Sequence, residues 1–140
     1  MIKIDRTDLN KFSVILGKLS DEIKDDVRKV VKNSAFNIER NAKSSASVKT
    51  GHLRRSISTK MGDMEATIHT SNLKYAPMVE FGTKPHIIRA KNKKALYWKG
   101  AKHPVKSVRH PGGKAKPYLI PAFEKEKDQF LEKLKEVIEW

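Results

Sequence analysis

The amino-acid sequence predicts an α+β protein, in which a long N-terminal helix and a C-terminal helix pack on a small, mainly antiparallel β-sheet. Apolar residues recur at intervals of three and four near both ends of the chain, as on one face of a helix. Between these segments apolar and polar residues alternate, as in half-buried strands. The 140 residues suit a single domain, residues 1–140, with its own hydrophobic core and a basic loop or hairpin excursion.

The first helix is predicted over residues 8–44. Thr7 or Asp8 could cap its start, and an unbroken helix of this length would extend about 50 Å. Gly17 and Ser20 could kink or split it, but the apolar stripe keeps its register across them, so we expect one helix, bent at most. The stripe packs either on the domain's own sheet or partly on another subunit. Its members are Leu9, Phe12, Leu16, Leu19, Ile23, Val27, Val30, Val31, Ala35, Ile38 and Ala42.

A β-hairpin is predicted over residues 53–70. Apolar and polar residues alternate through 57–61 and 64–70, and Gly62 and Asp63 separate the two runs. Glycine tolerates the positive φ that opens a two-residue type II′ turn. The pattern therefore indicates two antiparallel strands with one buried and one solvated face.

Two further helices are predicted after this hairpin. A short helix over 75–82 has Pro77 near its start and Gly82 just past its end, the positions that suit these residues. A C-terminal helix over 121–140 begins at Pro121. Its predicted buried stripe is Phe123, Phe130, Leu131, Leu134, Val137 and Ile138.

Residues 84–116 form a strongly basic segment, where we expect a second hairpin with strands at 86–89 and 95–98, followed by a loop with a weak strand at 105–108. The chain carries a formal net charge of +14, and this segment has eleven lysines and arginines but no acid. Such a block repels itself, so it should stay extended or mobile until it meets an anion. It is either a surface for nucleic acid or an acidic protein, or a solvated loop. The candidate contact residues are Lys84, Arg89, Lys91, Lys93, Lys94, Lys99, Lys102, Lys106, Arg109, Lys114 and Lys116.

Residues that carry catalytic or metal chemistry are sparse. The chain has no cysteine, which excludes disulfides, thiolate metal sites and a cysteine nucleophile. Its five histidines lack zinc-site spacing. The acids of the central region, Asp63, Glu65 and Glu80, are too few for a clustered-acid nuclease. We expect no enzyme, cofactor or metal site. Charges near the N-terminus and the lack of an apolar run of about 20 residues predict a soluble protein without a membrane segment.

Glu80, between two apolar residues, has two interpretations. It could act as a general base or ligand, or it could pair with Arg54, Arg55 or a cation of a neighbouring subunit. The local excess of cations favours the structural interpretation.

The aromatic residues Tyr97, Trp98 and Tyr118 stand among lysines. They could stack on nucleic-acid bases or anchor a core or an interface. Strand alternation favours one of Tyr97 and Trp98 being buried.

Three motifs in order carry a family resemblance. Residues 50–57 read Thr-Gly-His-Leu-Arg-Arg-Ser-Ile, residues 75–83 read Tyr-Ala-Pro-Met-Val-Glu-Phe-Gly-Thr, and 110–122 contain His-Pro-Gly followed by a proline-rich stretch. They resemble the signatures of a tail-component family of tailed phages and prophages, typified by the tenth gene product of a lambda-like siphophage. The motif residues are Thr50, Gly51, Leu53, Arg54, Ser56, Ile57, Tyr75, Ala76, Val79, Glu80, Phe81, Gly82, Thr83, Pro111, Gly112, Pro117 and Pro121.

The resemblance implies a structural protein without catalysis. It implies that members join heads to tails or complete the tail, forming a ring at the neck or at the head-proximal end of the tail tube, through which double-stranded DNA passes. The implied partners are further copies of the chain, connector or adaptor proteins, and tail-tube or tail-terminator proteins, assembled in the host cytoplasm into the virion.

The resemblance also implies roles for individual motif residues. Two glycines, Gly51 and Gly82, would set backbone geometry. The apolar positions would be core residues, and the polar ones would hold loops or subunits together. The apolar set is Leu53, Ile57, Val79 and Phe81, and the polar set is Arg54, Glu80 and Thr83.

Two other functions stay open on the sequence. A sequence-independent nucleic-acid-binding protein would use the same basic segment, and its affinity would fall steeply with salt. A nuclease or toxin would need a clustered acid or histidine site, which the sequence does not contain.

Overall fold

The computed structural model describes residues 10, 11, 14, 17, 18, 20–49 and 51–138. Within them the order of elements is helix α1 (Asp21–Ser45), helix α2 (His52–Ser56), strands β1 (Ile57–Met61) and β2 (Ala66–Thr70), helix α3 (Ala76–Phe81), strands β3 (His86–Arg89) and β4 (Ser107–His110), and helix α4 (Leu119–Ile138). The long helices α1 and α4 pack against each other, and α1 also covers the β1–β2 sheet. The predicted α+β class is confirmed.

Helix α1 begins at Asp21 because Ser20 caps it. The Ser20 backbone is extended, with φ −62° and ψ 156°, and its hydroxyl accepts a hydrogen bond from the Ile23 amide at 3.4 Å. Asp21 and Glu22 place negative charge at the positive end of the helix. The prediction of one helix through 8–44 is therefore wrong at residue 20. Its proposed caps Thr7 and Asp8 and the stripe residues Leu9, Phe12, Leu16 and Leu19 lie outside the described residues.

The core joins residues from distant parts of the chain. Small side chains on α1 and α4 let the two helices approach each other, while larger ones fill the space beneath the hairpin. Burying a side chain such as Leu53 or Ile57 contributes about 1.5–3 kcal/mol. The core cluster consists of Ile38, Ala42, Ala46, Leu53, Ile57, Ala76, Tyr118 and Ala122.

The predicted first hairpin forms, but its boundaries and its turn differ from the prediction. Strands β1 and β2 pair antiparallel from Ile57↔Thr70 to Met61↔Ala66, and residues 53–56 are helical rather than extended. The connection has four residues, with the Gly62 amide donating to the Glu65 carbonyl at 2.8 Å, and Gly62 does not adopt a positive φ. It is therefore not a two-residue type II′ turn.

Polar contacts on α1 hold this hairpin in place. Arg28 Nε donates to Asp63 Oδ1 at 2.7 Å, and the hydroxyl of Thr59 donates to Glu39, which also accepts from Lys43. The hydrogen bonds from Lys43 and from Thr59 lower the pKa of the Glu39 carboxyl. These contacts fix how the hairpin lies on the helix.

The second sheet pairs differently from the prediction. Strand β3 pairs antiparallel with β4, from His86↔His110 to Arg89↔Ser107, so residues 95–98 are not its partner and the weak strand lies at 107–110. A further bridge joins Leu96 to Val105. Residues 83–113 thus form one long ribbon, called here the basic ribbon. Apolar alternation marked the candidate strands, but pairing depends on which segments the intervening chain brings together.

The C-terminal helix begins at Leu119 rather than 121, and residues 139 and 140 lie outside the described part. Its buried positions are Ala122 and Glu126, and Asn37 on α1 donates to Glu126 Oε1 at 3.1 Å. The predicted buried stripe is wrong at Phe123 and Leu131, which are 46% and 43% exposed. Helices approach most closely where a small residue faces the neighbour, so Ala122 rather than Phe123 turns inward.

Candidate functional site

The three sequence motifs lie side by side in the fold. The first supplies α2 and the start of β1, the second supplies α3, and the third leads into α4. Their buried residues Leu53, Ile57, Ala76, Tyr118 and Ala122 belong to the same core cluster. The motifs therefore form one structural unit, although about 50 to 70 residues separate the first from the third.

Glu80 joins the second motif to the third. Its buried carboxylate accepts hydrogen bonds from the backbone amides of Tyr118 at 2.8 Å, Leu119 at 3.0 Å and Ile120 at 2.8 Å. These are amides at the start of α4, which no earlier turn of that helix can satisfy. Glu80 is thus the N-cap of α4 supplied from another helix, and the predicted pairing with Arg54 does not form. The negative charge also suits the positive end of the helix dipole.

Two glycines allow the backbones of these motifs to touch. Thr83 and Gly113 exchange backbone hydrogen bonds at 2.9 and 3.1 Å, and the Lys116 amide donates to the Val79 carbonyl at 2.8 Å. Gly82 and Gly112 have φ of 72° and 86°, and a Cβ on Gly112 would lie 2.3 Å from the Thr83 carbonyl oxygen. We call this contact between residues 79–83 and 112–120 the clasp. It fixes the base of the basic ribbon beside the start of α4.

The first motif holds the end of α1. Gly51 has φ 74° at the start of α2, Arg54 Nε donates to the Lys43 carbonyl at 2.9 Å, and the Ser56 hydroxyl donates to the Leu53 carbonyl at 2.7 Å. Arg54 therefore satisfies a carbonyl that the last turn of α1 leaves free. Thr50 lies outside the described residues.

Not every residue assigned to the core is buried. Leu53 and Ile57 are buried and Val79 packs against the core, but Phe81 is 70% exposed. Ala76 and Glu80, one turn apart, are the buried residues of the short helix α3, and Phe81 points away from that face. Tyr75 is also exposed. The prediction that Phe81 is a core residue is wrong.

The aromatic residues divide between core and surface. Tyr118 is 2% exposed and belongs to the core, whereas Tyr97 and Trp98 are 69% and 46% exposed. Burial, followed by the nearby Glu80 and Tyr75 side chains, raises the pKa of the Tyr118 phenol. The prediction that one of Tyr97 and Trp98 is buried is wrong, because it assumed a strand over 95–98, where the structure has only an isolated bridge at Leu96.

The basic ribbon and the segment after it present cations and apolar groups together. All eleven lysines and arginines of residues 84–116 are exposed, and none forms an ion pair with a described residue. Ile87 and Ile88, on strand β3, are 59% and 37% exposed. Across the ribbon the His86 and His110 rings lie 5.1 Å apart. Pro111, next to the clasp, and Pro117, within it, are also exposed.

The outer face of α4 is a surface that the sequence analysis missed. Exposed acids occur at every fourth position, in a row formed by Glu124, Asp128, Glu132 and Glu136. Beside this row Ile120, Phe123 and Leu131 are 46%, 46% and 43% exposed. The four-residue spacing of the acids was the available signal, since it places them along one side of a helix. Pro121 lies exposed in the first turn of α4.

The recesses, the potential metal ligands and the long helices of the described chain bear on ligand, metal and membrane binding. One recess in the described surface is an open groove of about 370 Å³, lined by residues that include Lys49, His52, Leu73 and Tyr75. No three histidine, aspartate or glutamate side chains of the described chain converge on a point where they could hold a metal ion. Among the described helices, none is both long and apolar enough to cross a membrane.

Comparison with known proteins identifies one family. The family model HK97-gp10_like, described as "Bacteriophage HK97-gp10, putative tail-component", matches residues 10–82. This range contains the first motif and all of the second except Thr83, and it confirms the resemblance to a phage tail-component family, while the third motif lies beyond it. No curated protein and no solved structure is significantly similar to the chain.

Proposed function

Because the chain belongs to the HK97 gp10-like family of bacteriophage tail components, we propose that it is a head–tail joining or tail-completion subunit that forms a ring around the path of the DNA. A tail component is a structural part of the virion, so its surfaces serve to contact other phage proteins. The finer role at the neck is the proposal.

Two different exposed surfaces on one small chain support ring formation. The basic ribbon and the outer face of α4 both expose large apolar side chains, which favour burial against protein. A closed ring needs a head-to-tail contact between two unlike surfaces of each subunit. A chain with one self-complementary patch would form a dimer instead. The presence of two unlike surfaces is the observation that carries the proposal.

The charge supports a position close to DNA. The eleven exposed cations of residues 84–116 have no ion-pair partner among the described residues, and the chain carries a net charge of +14. A ring with such a charge would attract the phosphate backbone without reading its sequence. This suits DNA that passes through a lumen.

The test is a stop codon in this gene in the phage or prophage that encodes it. We expect filled heads and completed tails that remain separate under the electron microscope, and purified protein should join them. Mass spectrometry should then find the chain in virions, and pull-downs should recover connector or tail-tube proteins. Infectious particles without the chain, or the absence of tails altogether, would contradict the proposed role.

A second candidate function is sequence-independent nucleic-acid binding, which the unpaired cations favour. In this case the isolated chain should bind DNA strongly, with an affinity that falls steeply as salt increases. Neutralising Lys91, Lys93, Lys94, Lys99 and Lys102 should flatten the salt dependence. Negligible binding by the isolated chain at moderate salt would exclude this candidate.

A further inference from the structure

We propose that the basic ribbon of one copy packs against the outer face of helix α4 of the next copy, and that this contact links neighbouring subunits. The inference rests on the proposed ring and names the two surfaces that build it. It follows from the matching charge and apolar content of two surfaces that the monomer leaves uncovered.

The basic ribbon needs a partner to be stable. Both of its strands are largely exposed, and neither makes an extensive contact with a described helix or with the β1–β2 sheet. A two-stranded ribbon alone in water is marginally stable. Ile87, Ile88, Tyr97 and Trp98 would all gain from burial, and the clasp holds only the base of the ribbon.

The outer face of α4 offers what the ribbon lacks. The acids from Glu124 to Glu136 extend over about 18 Å of helix at 1.5 Å per residue, which is longer than either four-residue strand of the ribbon, about 13 Å at 3.3 Å per residue. The four acids form no ion pair within the described chain. Lys125, Lys127 and Lys135 also lie on this side of the helix, so the face keeps an excess of one acid. Phe123 and Leu131 supply apolar area beside the acids.

A second copy of the chain fits the ribbon better than DNA alone does. Exposed isoleucine and tryptophan side chains gain little from a phosphate backbone, whereas the apolar groups of α4 can cover those on one face of the ribbon. The nine cations of the ribbon outnumber the four acids, so several remain for DNA after the subunits have docked. Because the two surfaces are different, the contact repeats head to tail and can close a ring.

Charge reversal with rescue tests the pairing. Changing Lys91, Lys93 and Lys94 to Glu should weaken self-association roughly tenfold or more, and changing Glu124, Asp128 and Glu132 to Lys should do the same. A mixture of the two variants should recover association, because one reversed ribbon then meets one reversed helix. The matched control changes three exposed lysines elsewhere, Lys32, Lys60 and Lys74, to Glu and should leave association unchanged.

Sedimentation velocity of the full chain and complementation of the stop-codon phage provide the two measurements. The contact is supported if both charge-reversed variants lose self-association and the mixture of the two recovers it. Loss in the ribbon variant alone, together with a loss of DNA binding, would overturn it and assign the ribbon to DNA. If the control variant lost self-association to the same extent, the effect would be one of net charge and the proposed contact would be overturned.

Cross-linking locates the contact directly, because the chain has no native cysteine. Ile88→Cys and Leu131→Cys chains, mixed and treated with a flexible bismaleimide, should give a covalent dimer, while either chain alone should give none. The control mixes Ile88→Cys chains with Met61→Cys chains, in which the cysteine is exposed but lies on strand β1 rather than on α4, and it should give no covalent dimer. Rings or assembled necks without this cross-link would overturn the contact and leave the ring intact, whereas copies that never associate in solution or in particles would overturn both.

Discussion

The most direct structural prediction concerns Glu80. Replacing it with Ala should destabilise the chain strongly although the residue takes part in no proposed catalysis or binding. The substitution removes a buried acceptor and leaves three backbone amides, those of Tyr118, Leu119 and Ile120, without their partner.

The magnitude follows from these three hydrogen bonds. A hydrogen bond to a charged acceptor contributes about 1.5–3 kcal/mol net, but the three bonds share one carboxylate whose own burial is unfavourable, so their contributions do not add in full. The expected loss of unfolding free energy is about 3–5 kcal/mol, a large part of the 5–15 kcal/mol typical of a domain. Glu80→Gln keeps one carbonyl acceptor but turns an amide donor toward the N–H groups. The Glu80→Gln variant should therefore lose about half as much unfolding free energy as Glu80→Ala.

Urea denaturation followed by circular dichroism would measure the effect, with the midpoint and slope fitted separately. Glu124→Ala removes an exposed glutamate from the same helix and should cost less than about 0.5 kcal/mol. If Glu80→Ala and Glu124→Ala differed by less than about 1 kcal/mol, the cap would not stabilise the fold as argued. An unchanged slope would show that the comparison concerns stability alone.

Three further predictions concern the backbone, the pH dependence and the core. Gly112→Ala should cost about 2–4 kcal/mol, because its φ is 86° and the new Cβ would meet a carbonyl oxygen, whereas Gly17→Ala, with open space around it, should be neutral or slightly stabilising in thermal melts. Glu39→Gln should lower the free energy of unfolding near neutral pH by about 1 kcal/mol. Because the folded-state pKa of Glu39 is lowered, its contribution to stability is present above the unfolded pKa and disappears as pH falls through the folded pKa. Plots of unfolding free energy against pH for wild type and variant should therefore converge in acid. Ile57→Ala should cost about 2–5 kcal/mol, and Ile87→Ala, the same change on the exposed ribbon, should leave monomer stability within about 0.5 kcal/mol of wild type.

Local sequence signals predicted the kinds of elements and most of their positions. The three-and-four spacing indicated α1, alternation indicated β1 and β2, and the positions of Pro77 and Gly82 indicated α3. Each of these signals acts within a few residues, so it can be read without knowing what the segment packs against.

Contacts between distant residues explain the errors. Strand β3 pairs with residues 107–110 rather than with 95–98, and Ala122 rather than Phe123 of α4 is buried. In both cases the local sequence pattern is compatible with two arrangements, and contacts with a distant segment determine which of them forms. Glu80 is the clearest example, because its role depends on amides 38 to 40 residues away.

The sequence by itself determined the α+β class, the concentration of charge in residues 84–116 and the resemblance to a phage tail-component family. These depend on composition, spacing and motif order, which are properties of neighbouring residues. The tertiary structure alone decided that the second and third motifs close into a clasp, and that an acidic face of α4 and a basic ribbon are both left uncovered. Exposure and complementarity are properties of surfaces, and a surface exists only once the chain has folded.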